Sequence, residues 1–151
     1  MMDDPYFAYG SNMNLAQMAS RCPGAELGEQ VHLPDWRYFI NGKGYAGIEE
    51  FSGGLVRGCL WSLLPQHWEA LDQYEGVAGG YYEKMKIEVI SCRSGERLPV
   101  WVYLSNDYEY GVPSSSYQGI VVQGARDVNL PESYLPLLEA WADGPPHSFS
   151  R

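Results

Sequence analysis

Along three stretches of this 151-residue chain, apolar and polar residues alternate. Trp36, Tyr38 and Ile40 do so within residues 31–40, Met85, Ile87 and Val89 within 81–91, and Leu98, Val100, Val102 and Leu104 within 98–104. A period of two sends successive side chains to opposite faces, so each stretch is predicted as a strand with one face against a core. Asn41-Gly42-Lys43-Gly44 closes the first in a turn, and Ser94-Gly95 joins the other two as a hairpin. Residues 46–51 and 55–63 are predicted as two further strands, joined as a hairpin at Ser52-Gly53-Gly54. Gly58 inside the second marks a bulge or a close approach of another backbone.

Helices are predicted between and after these strands. In residues 14–22, Leu15, Met18, Ala19 and Cys22 share one face until Pro23-Gly24 stops the helix. Pro65 suits a first helical turn over 65–74, where Leu64, Trp68 and Leu71 recur at spacings of four and three, and Glu75-Gly76 ends it. Serines 114–116 can cap a helix lined on one side by Tyr117, Ile120, Val121 and Gly124. A last helix over 131–142 holds Pro136 either in its early part or at a kink, and 143–151 is expected as a loose tail. The order is not the strand–helix alternation of a doubly wound parallel sheet, so the class is α+β. A small mixed, largely antiparallel sheet with flanking helices is expected, rolled into a barrel whose closure the sequence leaves open. One domain over 1–151 accounts for the length.

A formal charge of −9, without clustered Lys and Arg, argues against nucleic acid as a partner. No stretch approaches the roughly 20 apolar residues that cross a bilayer, so no membrane partner is expected. Met1-Met2-Asp3-Asp4-Pro5 is acidic and lacks the basic and apolar regions of a secretory signal, which favours the cytoplasm. Cys22, Cys59 and Cys92 are odd in number and far apart among apolar neighbours, which suits buried reduced thiols. His32, His67 and His147 show none of the close spacings of zinc ligands. Neither a metal nor another cofactor is expected.

Two segments carry candidate chemistry. Tyr6-Phe7-Ala8-Tyr9-Gly10-Ser11-Asn12-Met13 is an aromatic strand running through a Gly-Ser-Asn turn into a helix. Free amides at the start of that helix, with Gly10 allowing close approach, make a pocket for a small carboxylate; the plain alternative is a strand-turn-helix capped by Asn12 or Asn14. The second segment, Leu71-Asp72-Gln73-Tyr74-Glu75-Gly76-Val77, sets a carboxylate at the C-terminal end of a helix, followed by Gly79-Gly80-Tyr81-Tyr82. The negative end of the helix dipole and partial desolvation by the tyrosines would raise that carboxyl toward the range of a general acid or base; otherwise Glu75 is a solvated helix-end residue. Glu49 and Glu50 are rival carboxylates, of which at most one can face a pocket because adjacent strand residues point to opposite faces.

The turn Tyr9-Gly10-Ser11-Asn12, the run Asp72-x-x-Glu75-Gly76-Val77 with Gly80-x-Tyr82 behind it, and Tyr117-x-x-Ile120-x-x-x-Gly124-Ala125 with Leu130-Pro131-x-x-Tyr134 together resemble the γ-glutamylcyclotransferase family. The resemblance spans about residues 6–138, and Asn41-x-x-Gly44 and Gly58-Cys59-Leu60-Trp61 look like that family's sheet. It implies a γ-glutamylcyclotransferase-like fold and an intramolecular reaction, in which the α-amine of a γ-glutamyl group attacks its own γ-carbonyl to give 5-oxoproline and a free amine or amino acid. It further implies that Glu75 is the general acid and base, that Tyr6, Phe7, Ala8, Tyr9, Gly10, Ser11 and Asn12 line the substrate pocket, and that Tyr82 and Tyr117 face the same cavity. Tyr6 and Phe7 can equally be core residues of the strand, and the Tyr117 hydroxyl can make a structural bond. The partner implied is a small γ-glutamyl compound, with a homodimer as a family-level expectation. The chain ends soon after its last helix, and the resemblance leaves the leaving group open among amino acid, glutathione, amine and biosynthetic intermediate. A different class also fits: a noncatalytic binding module that keeps the pocket without the chemistry.

Overall fold

In the computed structural model, which describes residues 4–149, the frame of the molecule is a long antiparallel hairpin of β2 (Glu26–Ile40) and β3 (Ala46–Ser62). Asn41 builds its turn: the side-chain oxygen accepts the Lys43 and Tyr45 N–H groups, each at 3.0 Å, and Gly44 takes a φ of +90° that favours glycine. The Ser52-Gly53-Gly54 signal does not produce the expected hairpin, because β3 runs through it as one strand. The pairs Pro34↔Leu55 and Trp36↔Glu50 leave four β3 residues opposite Asp35, a large bulge held by the Gly53 N–H donating to Asp35 at 2.9 Å. A bulge absorbs the same turn-forming residues while the strand keeps its partner. β2 also starts at Glu26, ahead of its alternating part, with a second register shift between Leu27 and Gln30.

β4 (Tyr82–Ser91) and β5 (Arg97–Ser105) form the expected hairpin, and β4 pairs with β2 through Val31↔Ser91 and His32↔Ile90. The short β1 (Tyr6–Ala8) lies antiparallel to β3 and parallel to β5, closing a barrel in the order β1-β3-β2-β4-β5. Gly58 makes this closure possible: a Cβ there would collide with the Ala8 carbonyl and come within 2.8 Å of the Phe7 ring.

The helices differ from their predicted faces in ways that follow from what they rest on. α1 (Leu15–Arg21) buries Met18 and, at its end, Cys22, while Leu15 is 39% exposed and Ala19 is exposed; seven residues offer only a narrow contact strip. On α2 (Pro65–Tyr74) Leu64 is exposed and His67 is buried instead. The His67 ring accepts the Leu64 N–H at 3.0 Å and donates to the Pro23 carbonyl at 2.7 Å, which assigns the neutral tautomer and ties α2 to the end of α1. α3 (Ser115–Asp127) is capped by the Ser114 hydroxyl and buries Gln118, Val121, Val122, Gly124 and Ala125, with Tyr117 and Ile120 half-buried at the edge of that face. Gly124 lies against Met13 and Asn14, where a Cβ would come within 2.6 Å of the Asn14 nitrogen.

The predicted last helix is broken into a 3₁₀ turn, Glu132–Tyr134, and α4 (Leu135–Glu139), with Pro136 in the first turn of α4, where its missing N–H matters least. The tail is not loose as far as Phe149, whose ring meets Trp141 edge-on at 4.8 Å and carries the Arg37 guanidinium at 3.9 Å; Ser150 and Arg151, like Met1 to Asp3, lie outside the described residues. The cysteines are free, but only Cys22 and Cys59 are buried; Cys92 is exposed where β4 turns toward β5. No helix among the described residues is long and apolar enough to cross a membrane. Because β1 cannot pair without the gap at Gly58, Gly58→Ala is expected to destabilise the fold by about 1–3 kcal/mol. Urea unfolding monitored by tryptophan fluorescence would show it as a lowered midpoint.

Candidate active site

The end of α2 and the end of β1 meet in one place. Glu75 caps α2, its N–H donating to the Leu71 carbonyl at 2.8 Å, and Gly76 turns the chain away with a φ of +64°. One turn back, Asp72 fastens the helix to the barrel: it accepts the Tyr103 hydroxyl at 2.6 Å and pairs with Lys84 at 3.0 Å. Tyr103 in turn accepts the Tyr9 hydroxyl on its carbonyl at 2.6 Å, so β1, β5 and α2 are locked to one another next to Glu75.

β1 runs through Gly10 into a 3₁₀ turn, Ser11–Met13. Its bonds begin with Met13 N–H to the Gly10 carbonyl, which leaves the Ser11 and Asn12 N–H groups unused by the backbone. The Asn12 carbonyl accepts the buried Trp61 indole N–H at 2.9 Å, and its side-chain amide donates to Tyr6 at 2.9 Å and makes a long 3.5 Å contact with Glu75. That contact is the only side-chain hydrogen bond to the Glu75 carboxylate among the described residues.

Tyr82 and Tyr117 approach the site from β4 and α3 and hold the same residue. The Tyr82 hydroxyl donates to the Ala46 carbonyl at 2.5 Å, and the Tyr117 hydroxyl accepts the Ala46 N–H at 3.1 Å. Gly10 fits against them, since a Cβ at that position would lie 2.9 Å from the Ala46 Cβ. Asn41 completes this wall by donating to Ser105 at 3.1 Å and to Tyr82 at 3.4 Å.

These elements surround an open cavity of about 850 Å³. Tyr6, Tyr9, Gly10, Ser11, Asn12, Glu75, Tyr82 and Tyr117 line it. Phe7 and Ala8 do not: both are fully buried in the β1–β3 pairing, opposite Leu60 and Cys59. Glu49 and Glu50 lie elsewhere, Glu49 bound to Arg37 at 2.9 Å and to the Tyr110 hydroxyl at 2.5 Å, and Glu50 exposed. The lining also includes Arg21, Asn41, Lys43, Tyr45 and Tyr103, none of which the sequence singled out as site residues. Asn41 was legible as a turn residue and as part of the Asn41-x-x-Gly44 stretch, and Arg21 carried no signal of its own. Among the described residues no group of three or more His, Cys, Asp and Glu is placed to hold a metal ion.

Burial dominates the electrostatics. The walls strip water from Glu75 and push its carboxyl from 4.5 up to about 7, while the nearby Arg21 guanidinium pulls in the opposite direction. The same desolvation pushes the Tyr117 hydroxyl up to about 12 and those of Tyr6, Tyr9 and Tyr82 well above their ordinary value. Near neutrality the cavity therefore holds neutral phenols around a carboxyl that can both take and return a proton.

The AIG2-like family model matches residues 55–138, from β3 through Glu75 and α3 to α4. The γ-glutamylcyclotransferase of Mus musculus is 34% identical over 145 residues, covering 89% of this chain and 77% of that protein; the Homo sapiens γ-glutamylcyclotransferase is 31% identical over the same shares. The chain belongs to the AIG2-like γ-glutamylcyclotransferase family. A solved γ-glutamyl cyclotransferase structure has this family's fold with a TM-score of 0.85 at 28% identity, over 98% of this chain and 91% of that one. In this family member the raised carboxyl pKa implies a cost in stability. Because its folded pKa, about 7, lies above the ordinary 4.5, the stabilising effect is present below the lower value and lost as pH rises through the upper one. Glu75→Gln, which stays neutral, is expected to melt a few degrees above wild type at pH 8, with the gap closing toward pH 4.5; thermal melts at both pH values check it.

Proposed function

We propose that this chain is a γ-glutamylcyclotransferase that converts a γ-glutamyl amide to 5-oxoproline and a free amine or amino acid, with Glu75 as its acid-base group. The observation that carries this reading is the Glu75 carboxyl, buried and poised near neutrality, in one cavity with the Gly10-Ser11-Asn12 turn. The substrate's α-amino group, with an unperturbed pKa of roughly 8, arrives mostly as an ammonium and must lose a proton before it can attack. The Glu75 carboxylate, with its single long internal contact, has acceptor positions free to hold that ammonium and take the proton. The freed amine then closes a five-membered ring on the γ-carbonyl carbon. The unused Ser11 and Asn12 N–H groups are the donors available to the oxyanion that forms.

When the intermediate collapses, the bond between the carbonyl carbon and the leaving nitrogen breaks. The α-nitrogen enters with three hydrogens and stays in the lactam with one. Glu75 relays the other two to the leaving nitrogen, which departs as an ammonium while Glu75 ends as it began. Nucleophile and electrophile belong to one molecule, so holding the folded-back conformer supplies much of the rate and no protein nucleophile is needed. Neutral Tyr82 and Tyr117, fixed to Ala46, shape the wall against which the glutamyl part folds. The outer cavity, with half-exposed Tyr45, Tyr74 and Tyr81, is the side available to the departing group. The reading carries with it a cytoplasmic location and a place in the turnover of γ-glutamyl compounds, glutathione included.

The test is release of 5-oxoproline from γ-glutamyl-alanine, glutathione and γ-glutamyl-alkylamines. Wild type is expected to turn over at least one of them, and Glu75→Gln to lose about 10²–10⁴-fold or more in kcat. Near-normal turnover by the variant would remove Glu75 from its role.

A further inference from the structure

Among the described residues Arg21 is the cationic side chain bonded to Asn12 in the cavity, and nothing in the cyclisation as described uses it. It sits in the last turn of α1, with its guanidinium over the Tyr74 ring at 4.3 Å, so it spans the gap between the end of α1 and the end of α2 just before Glu75. Its Nη1 donates to Asn12 Oδ1 at 3.1 Å. Gln17, one helical turn earlier, donates to the same oxygen at 3.0 Å and to the Ser11 hydroxyl at 2.8 Å.

The Asn12 amide is thereby filled on every side: two donors on its oxygen, with Tyr6 and Glu75 facing its nitrogen. An amide is nearly symmetric in shape, and Gln17 could turn its own amide to suit either orientation. Arg21 cannot, because guanidinium has donors only. With Arg21 in place the Asn12 oxygen must face α1 and its N–H groups must face Glu75 and Tyr6. The Tyr6 hydroxyl then accepts from Asn12 and keeps its own hydrogen to donate. We propose that Arg21 is a positioning residue for the cyclisation, setting through Asn12 the direction of the hydrogen bonds that converge on Glu75.

The charge adds to the geometry. The groups facing Glu75 from its neighbours are Arg21 from α1, Asn12 from the turn, Tyr6 and Tyr9 from β1, Tyr82 from β4, Tyr103 from β5 and Tyr117 from α3. The tyrosines are all held neutral by burial, and Lys43 and Asp107, of opposite charge, line the outer cavity. Arg21 is thus the charge that opposes the desolvation of the carboxylate. Without it Glu75 would hold its proton to higher pH, and less of the base would be ready at neutrality.

This inference rests on Glu75 being the base, so the test has a readout independent of turnover. A carbon-13 NMR titration of Glu75, assigned by comparison with Glu75→Gln, would run beside pH profiles of kcat/KM for Arg21→Gln, the uncharged but similarly shaped Arg21→Met, and Arg21→Lys. In the two uncharged variants the Glu75 midpoint and the acidic limb are expected to move up together by about one pH unit. Since such a shift cuts the ionised fraction at pH 7 from about one half to about one tenth, turnover there falls roughly fivefold, while Arg21→Lys stays near wild type in both readouts. A midpoint and limb that stay in place in folded Arg21→Gln or Arg21→Met overturn the proposal. So does a rise in KM confined to substrates with a carboxylate on the leaving group, which would make Arg21 a substrate contact instead. Should wild type release no 5-oxoproline at all, the proposed function fails, and the NMR midpoint still decides the influence of Arg21 on Glu75.

Discussion

The pairing of β1 with β3 across Gly58 is the contact on which the rest of the molecule depends. β1 is only three residues long, yet it is the strand that closes the barrel, antiparallel to β3 on one side and parallel to β5 on the other. A strand so short gains little from its own hydrogen bonds and is held by what its side chains reach: Phe7 packed over Gly58, Tyr9 bonded to the Tyr103 carbonyl, Tyr6 edge-on to Trp68 and Tyr103. The residues that follow inherit this fixed exit. Gly10, Ser11 and Asn12 turn directly into the cavity, and the Trp61 indole, from the strand paired with β1, clamps the Asn12 carbonyl. The strand that closes the barrel therefore also fixes where the candidate site's turn lies.

Glu75 depends on that scaffold in the opposite sense. It is a carboxyl kept short of water and almost without internal hydrogen bonds, an arrangement that opposes folding wherever the group is ionised. Asp72, three residues before it on the same helix, has the contrary environment, with Lys84 and Tyr103 both bound to its oxygens. The saturated carboxylate anchors α2, and the starved one is left with acceptor capacity for a ligand. Under the proposed function Asp72 serves structure and Glu75 chemistry, and that division follows from which neighbours each can reach.

Much of this was legible in the chain. Alternation fixed β4 and β5, Pro65 and Glu75-Gly76 bracketed α2, and the Tyr9-Gly10-Ser11-Asn12 turn marked where β1 gives way to the cavity. The failures have particular causes. Ser52-Gly53-Gly54 carries every local sign of a hairpin, but a strand already paired along its length with β2 takes up a glycine turn as a bulge. Leu15 and Leu64 were assigned to buried faces by spacing, whereas contacts from other elements, His67 reaching Pro23 among them, decide how α1 and α2 are rolled. Phe149 looked unanchored because its partners, Arg37, Tyr110 and Trp141, are brought together only by the fold. In the site, residues of the Gly-Ser-Asn turn and of the Glu75 run could be named, while Arg21 could not, and Asn41 was seen in a motif but not as a cavity wall, since their roles there consist of bonds to residues distant in sequence.

A ring closure within one molecule asks little of an enzyme beyond shape, a proton relay and a place for the developing negative charge. In the proposed function the polar groups of this cavity divide along those lines. Tyr82 and Tyr117 use their hydroxyls on the Ala46 peptide, Tyr9 uses its own on the Tyr103 carbonyl, and the Asn41 amide bonds its own turn and Ser105, so these groups define a rigid wall. Unused capacity remains on the Ser11 and Asn12 amides, the Tyr6 hydroxyl hydrogen and the Glu75 carboxylate. Donors and acceptor left over in this way lie at the end of β1 and the end of α2, on two sides of one cavity. A γ-glutamyl group presents the complementary pair, an ammonium for the carboxylate and a carbonyl oxygen for the amides, on a chain short enough to fold back on itself. Groups satisfied in advance make the wall, and in the proposed function the unsatisfied remainder is what the substrate completes.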